Sequence, residues 1–155
     1  MVNVEAAMTL ALALARDSMQ SSKDVPVGAV VIDGSGEVIA TGKNERESHK
    51  DPTAHAEIVA LREAAKILGS WRLENLTLVV TLEPCAMCAG AIAQSRISKL
   101  VFGAWDSKAG AVGSVWDVLR DPRALHKVEV VSGVLENESA ELLKNFFQSQ
   151  RIQGI

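Results

Sequence analysis

The sequence predicts an α/β fold, a three-layer α/β/α domain with a central mixed five-stranded sheet, running as a single unit over residues 1–155. Segments at helical spacing alternate with short β-branched runs, the pattern of a sheet covered by helices on both faces. Two adjacent runs are joined by Asp33-Gly34-Ser35-Gly36, whose Asp-Gly and Ser-Gly pairs form turns, so the sheet opens with a hairpin. No Gly/Ser linker, charge block or repeat at solenoid period divides the chain.

The elements follow in order. Val4, Met8, Ala11, Leu12, Ala15 and Met19 fall on one helical face and predict a first helix over Val4 to Met19. Val27 to Ile32 and Val38 to Gly42 are the two hairpin strands. From Ala56, Ile58, Leu61, Ala65 and Leu68 recur at helical steps until Gly69 stops them, with Asp51 and Thr53 as N-cap candidates upstream. Leu76 to Leu82 is an uninterrupted apolar-leaning run suited to a strand buried on both faces, and Pro84 then opens a helix through Ala86, Ala89, Ile92 and Ala93. Leu100 to Gly103 and Val128 to Val131 give two more strands, and Ser139 to Gln150 a last amphipathic helix.

Composition narrows the function classes. Apolar residues make up 48% of the chain and charged residues 23%, the balance of a globular protein and not of a disordered one. The most apolar stretch, Met8 to Ala15, is far too short to span a bilayer, and the start of the chain lacks the basic n-region of a leader. A cytoplasmic protein with no membrane partner is expected. A net charge of −3 argues against binding nucleic acid through bulk positive potential, though a local basic patch fits within that total. The two cysteines lie three residues apart, so a disulfide between them would close too short a loop to staple a fold.

Those cysteines belong to the most informative pattern in the chain. His55-Ala56-Glu57 is followed, after a long insertion, by Pro84-Cys85-Ala86-Met87-Cys88, the H-x-E and P-C-x-x-C signature of zinc deaminases. Cysteines at i and i+3 in a first helical turn point the same way, so both sulfurs can reach one Zn²⁺ at roughly 2.3 Å, with the His55 imidazole at roughly 2.0–2.1 Å. Three protein ligands leave a fourth tetrahedral position for water, the mark of a catalytic site. Glu57 stands two residues beyond His55, about 200° around a regular helix, so the two converge only if His55 sits at the irregular helix start. A carboxylate there can take a proton from water activated by the metal.

Taken singly each residue has a plainer reading: a redox Cys-x-x-Cys pair, a helix-start histidine, an acid complementing the helix dipole. The joint spacing of the two halves argues for the metal site over all three. His49 and His126 have no such partners and read as ordinary surface histidines.

Over nearly its whole length the chain resembles the bacterial tRNA-specific adenosine deaminases of the cytidine deaminase superfamily. The resemblance rests on Val25 to Val30, Asp51 to Ile58, Thr81 to Ala91, and Phe102-Gly103-Ala104 onward to Ser114. It implies a cytidine deaminase-like fold and one Zn²⁺ per subunit on His55, Cys85 and Cys88, with Glu57 as proton shuttle and no organic cofactor. The implied reaction is hydrolytic deamination of the wobble adenosine of a tRNA anticodon stem-loop to inosine, with the base flipped into a pocket. Asn44 is the implied reader of that base; its plainer role is a turn residue with an unusual backbone angle. Backbone N–H groups near Ala56 and Cys85 are implied to face substrate and water, which leaves those two side chains idle as substrate contacts. Asp106 and Lys108 are implied to touch flanking nucleotides, against the plainer reading of a solvated loop.

Two departures stand out. Trp105 occupies a position expected to be polar, where it can stack on a base or pack on a second subunit. The chain reaches Ile155 without a basic tail, so RNA affinity is expected from Lys43, Arg46, Lys50, Lys108 and Arg151, pooled across the homodimer that the resemblance implies. Phe146 and Phe147 shape either the pocket or the helix packing. The zinc motif alone leaves two alternatives open. One is a free guanine or cytosine deaminase on the same scaffold; the other is a non-catalytic zinc-binding RNA module.

Overall fold

The computed structural model describes residues 3–152. The elements are α1 (Val4–Ser22), β1 (Gly28–Ile32), β2 (Val38–Lys43), α2 (Arg46–His49), α3 (Ala56–Leu68), β3 (Thr77–Leu82), α4 (Ala86–Gln94), β4 (Lys99–Ala104), β5 (Glu129–Val131) and α5 (Glu136–Ile152). The strands form one mixed sheet in the order β2-β1-β3-β4-β5. β1 runs antiparallel to both β2 and β3, while β3, β4 and β5 are parallel. No described helix is long and apolar enough to cross a membrane.

Alternation along the central strands builds the layers, because successive side chains point to opposite faces of a sheet. Ala29 and Val31 of β1, Leu78 and Val80 of β3, and Leu100 and Phe102 of β4 face Ala60, Leu61 and Ala64 of α3 and Ala89 and Ile92 of α4. The intervening Val30, Ile32, Val79 and Val101 face Met8, Ala11 and Leu12 of α1, with Leu142 of α5 packed beside them. All five residues of β1 are buried, as a central strand covered on both faces requires.

Packing also fixes where α3 begins. A Cβ at Gly42 would lie 2.4 Å from the Ala56 carbonyl oxygen and 2.6 Å from the Ala60 nitrogen, so only glycine lets β2 approach the first turn of α3 this closely. That contact sets the helix start, and with it His55, against the edge of the sheet.

Three local expectations are corrected. The N-cap of α3 is His55 itself, in extended conformation (φ −70°, ψ 153°) and with no side-chain cap. Asp51 is instead spent on a turn of its own, accepting from the Thr53 N–H at 2.9 Å and the Thr53 hydroxyl at 2.8 Å. Likewise α4 opens at Ala86 with Cys85 as its N-cap, two residues later than a helix opened by Pro84. The short α2 was not anticipated, since its capping group is remote in sequence: the Asp24 carboxylate accepts from the Glu47 N–H at 2.7 Å and the Ser48 N–H at 3.4 Å.

Between β4 and β5, residues 105–128 carry no helix or strand. A connection of that length without regular structure is usually functional. It returns along the end of the sheet where β2, β3 and β4 finish, so the loop and both helix starts share one edge.

Candidate metal centre and active site

His55 at the head of α3 and Cys85 at the head of α4 bring the two halves of the sequence pattern together. The His55 Nδ1 lies 3.6 Å from the Cys85 Sγ and 3.5 Å from the Cys88 Sγ, with Cys88 one turn into α4. The three donor atoms all fall within 4.8 Å of one another, close enough for one ion. Two sulfurs and an imidazole nitrogen are the donors that zinc favours, and three of them leave one position open. The residues therefore fit a catalytic zinc.

The ionisation pattern agrees with that fit. The Cys85 thiol is pushed down to about 3 by the hydrogen bond from the Cys88 thiol and by His55. Its partner Cys88 is pushed up by sharing that proton and by burial. His55 is raised chiefly by its hydrogen bond to Cys85. The cluster thus shares its proton so as to favour a thiolate at Cys85, and a cation entering it competes with the protons held by Cys88 and His55.

Glu57 is buried next to this cluster, 4% exposed. The extended backbone at His55 takes that residue off the helical path, which is how two positions two apart come to serve one site. Burial raises the Glu57 carboxyl to about 7, with His55 opposing the shift. A carboxyl poised there can hold or release a proton at neutral pH.

In front of the cluster opens a cavity of about 200 Å³, lined by Val25, Val27, Asn44, Arg46, His55, Ala56, Glu57, Leu82, Cys85, Asp106 and Ala109 among others. Asn44 is buried in its wall; its Nδ2 donates to the Val25 carbonyl at 3.1 Å and its Oδ1 accepts from the Arg46 N–H at 3.3 Å. It does not have positive φ, so the turn-residue explanation for it is not carried by the backbone. Each polar end of the amide keeps one further hydrogen-bonding position. Ala56 offers an N–H from the unpaired first turn of α3, and its methyl is fully buried in the core, so that side chain matters for packing.

A second, wider cavity of about 580 Å³ adjoins the first through Val25, Leu82, Asp106 and Ala109, and is lined further by Trp105, Lys108, Phe147, Gln150 and Arg151. The Asp106 carboxylate is engaged by its own loop, accepting from the Lys108 N–H at 3.0 Å and the Ala109 N–H at 3.2 Å. Lys108 stands exposed at the rim. Trp105 packs edge-on to Phe102 with ring centroids 4.9 Å apart, yet stays 45% exposed and available for stacking. Phe146 is buried in the helix packing whereas Phe147 reaches the second cavity. Of the basic residues, Lys43 is paired with Asp17, while Arg46 and Arg151 line the cavities. His49 pairs with Glu45, and His126 meets the Ile97 carbonyl at 2.6 Å; neither approaches the cluster. Val25 and Leu82 wall both cavities, a role that nothing in their local sequence pattern separates from that of core residues.

Fold and site together define a class: the deaminases built on a three-layer α/β/α scaffold with a three-donor His/Cys/Cys group. Comparison with known proteins agrees. The MafB19-like deaminase family model matches residues 2–151. A tRNA-specific adenosine deaminase of Haemophilus influenzae is 50% identical over 147 residues, covering 95% of this chain and 84% of that protein. A solved structure from work on A-to-I editing at the wobble position of transfer RNA superposes with a TM-score of 0.85 at 46% identity, covering 89% of this chain and 99% of that one. A guanine deaminase from Nitrosomonas europaea is more distant, at 29% identity and a TM-score of 0.80 over 94% of this chain and 85% of its own. The chain belongs to the tRNA-specific adenosine deaminase family.

Proposed function

We propose that this protein deaminates the wobble adenosine of a tRNA anticodon to inosine by hydrolysis, with zinc on His55, Cys85 and Cys88 and with Glu57 moving the protons. The observation that carries the reading is the convergence of the three donors with a buried carboxyl, behind a cavity that His55, Glu57 and Cys85 line. Bound there, zinc supplies a Lewis acid that lowers the pKa of a water from about 15.7 to about 7.

The chain's own residues do the rest. Glu57 takes one proton of the water, whose oxygen adds to C6 of adenine, and delivers that proton to ring N1. The same carboxylate then collects the remaining hydroxyl proton and hands it to the amine. The C6–N bond breaks, ammonia leaves, and the C6 carbonyl of inosine remains. Asn44 and the Ala56 N–H hold the base edge, and Val25, Val27 and Leu82 enclose it and keep bulk water out. The base must leave its stack to enter this cavity, which is least costly in an anticodon loop that is already single-stranded. Arg46, Lys108 and Arg151 meet phosphates, Asp106 orders the loop that presents Lys108, and Trp105 stacks on a flanking base. With such a substrate the protein acts in the cytoplasm.

The test is a choice of substrates. Zinc-loaded protein is expected to form inosine from a stem-loop with adenosine at the wobble position, and to leave free guanine and cytosine unchanged. Conversion of a free base with the RNA untouched would assign it instead to the free-base deaminases.

A homodimer is part of the reading. The outer groove between α3 and α4, about 590 Å³ and lined by Ile58, Leu61, Ala65, Trp71 and Ala91, offers an apolar face for a second copy, with Trp71 58% exposed. Sedimentation equilibrium is expected to give twice the 16.5 kDa chain mass; a monomer at micromolar concentration would remove the dimer from the account.

A further inference from the structure

Glu83 is a carboxylate with 2% exposure that the chemistry above does not use. It sits between the last residue of β3 and the Pro84-Cys85 entry to α4. Its own N–H donates to the Ala104 carbonyl at 2.8 Å. Its two oxygens accept four hydrogen bonds, all from one stretch of the β4–β5 connection. Oε1 takes the Asp106 N–H at 3.0 Å and the Ser114 hydroxyl; Oε2 takes the Val112 N–H and the Ser114 N–H, each at 3.0 Å. Gly110 closes over the carboxylate so tightly that a Cβ there would lie 2.3 Å from the Glu83 Cδ and Oε1. The Ala111 N–H donates to the Pro84 carbonyl at 2.8 Å, and Gly110 forms an isolated bridge with Cys85.

We infer that Glu83 is a positioning residue: its carboxylate is the internal anchor around which residues 105–114 wrap, and it holds the wall shared by the two cavities in place to receive the RNA. The segment has no ladder of its own beyond isolated bridges, so its backbone donors need a partner within the protein. One buried carboxylate supplies it for Asp106, Val112 and Ser114 together. Since Asp106 and Ala109 line both cavities, the wall moves if the anchor is lost. Glu83 also lines the inner cavity, but its four side-chain hydrogen bonds all come from residues 106–114 and none from His55, Glu57 or Cys85. Loss of the carboxylate therefore acts first on the wall that meets the RNA and only weakly on the chemical step.

This inference rests on the RNA reading for its kinetic arm and on the protein alone for its structural arm. Glu83→Gln exchanges one acceptor oxygen for an NH₂; at the Oε1 position the Ser114 hydroxyl can turn to accept from it, but the Asp106 N–H cannot, so at least one of the four bonds fails. In zinc-loaded protein, KM for the stem-loop is expected to rise about tenfold or more with kcat within about twofold, the signature of lost uniform binding. Zinc content is expected to stay equal to wild type. Without RNA, hydrogen exchange at Asp106, Val112 and Ser114 is expected to accelerate while β3 and β4 keep their protection. Ser114→Ala keeps the carboxylate, removes one donor, and is expected to show the same split at smaller size; it serves if Glu83→Gln does not fold. A fall in kcat at constant KM, loss of zinc, or unchanged exchange in the loop would each overturn the inference. If wild type fails on the stem-loop, the substrate reading fails, and the exchange result still decides the anchor.

Discussion

Glu57→Gln is expected to keep zinc content and melting temperature near wild type while lowering kcat on the stem-loop by about 10²–10⁴-fold, the range for loss of a positioned general acid–base group. The substitution keeps the shape of a side chain that is 4% exposed, so packing around the heads of α3 and α4 is undisturbed. What it removes is a group able to carry a proton, and the proposed reaction uses that group twice, first for ring N1 and then for the amine. The Glu57 carboxyl is raised to about 7 by burial, which keeps uptake and release both within reach at neutral pH. An amide offers neither. Steady-state kinetics with metal analysis of the same sample checks the prediction, and a Glu57→Gln protein that turns over at wild-type rate contradicts it.

Cys88→Ala is expected to abolish tight zinc binding and with it all turnover. Cys88 is fully buried in α4 and is one of the three candidate donors grouped among the described residues. Removing it leaves an imidazole and a single thiolate, too few to hold the ion against solvent. Wild type should also melt at a lower temperature after chelation, since zinc binds the folded chain and shifts its stability by mass action. Cys88→Ala protein should melt at the same temperature with and without chelator. Protons shed by His55 and Cys88 on metal uptake predict that affinity falls as pH is lowered, because below their own pKa values these donors hold the protons that the metal must displace. Calorimetry and metal analysis read both effects; stoichiometric zinc on Cys88→Ala would contradict the ligand set.

The chemistry-bearing part of this site was legible because its determinants are local. Cys85 and Cys88 share a helical turn, and His55 precedes a helix whose apolar period starts at Ala56, so their common edge follows from element order. The sequence also set the condition for His55 and Glu57 to converge, and the extended backbone at His55 meets it. The layers were legible for a similar reason, since β1, β3 and β4 are apolar runs that need cover on both faces. What stayed hidden depends on partners far along the chain. The α2 helix is capped by Asp24 across more than twenty residues, and α3 begins where Gly42 lets it approach, not at Asp51 or Thr53. Residues 105–114 carry no periodic hydrophobic signal, and much of their order comes from remote partners, the Glu83 carboxylate and the core that buries Ala111 and Val112. The substrate was legible only through resemblance, because a cavity of about 200 Å³ enclosed by Val25, Val27 and Leu82 suits many bases.

The most direct measurement is a single-turnover reaction of zinc-loaded protein with an anticodon stem-loop bearing adenosine at the wobble position and at one flanking position, followed by digestion and nucleoside analysis. Inosine at the wobble position alone, with ammonia released in equal amount, is the expected result. Adenosine left intact at that position by protein carrying one zinc per chain would contradict the account.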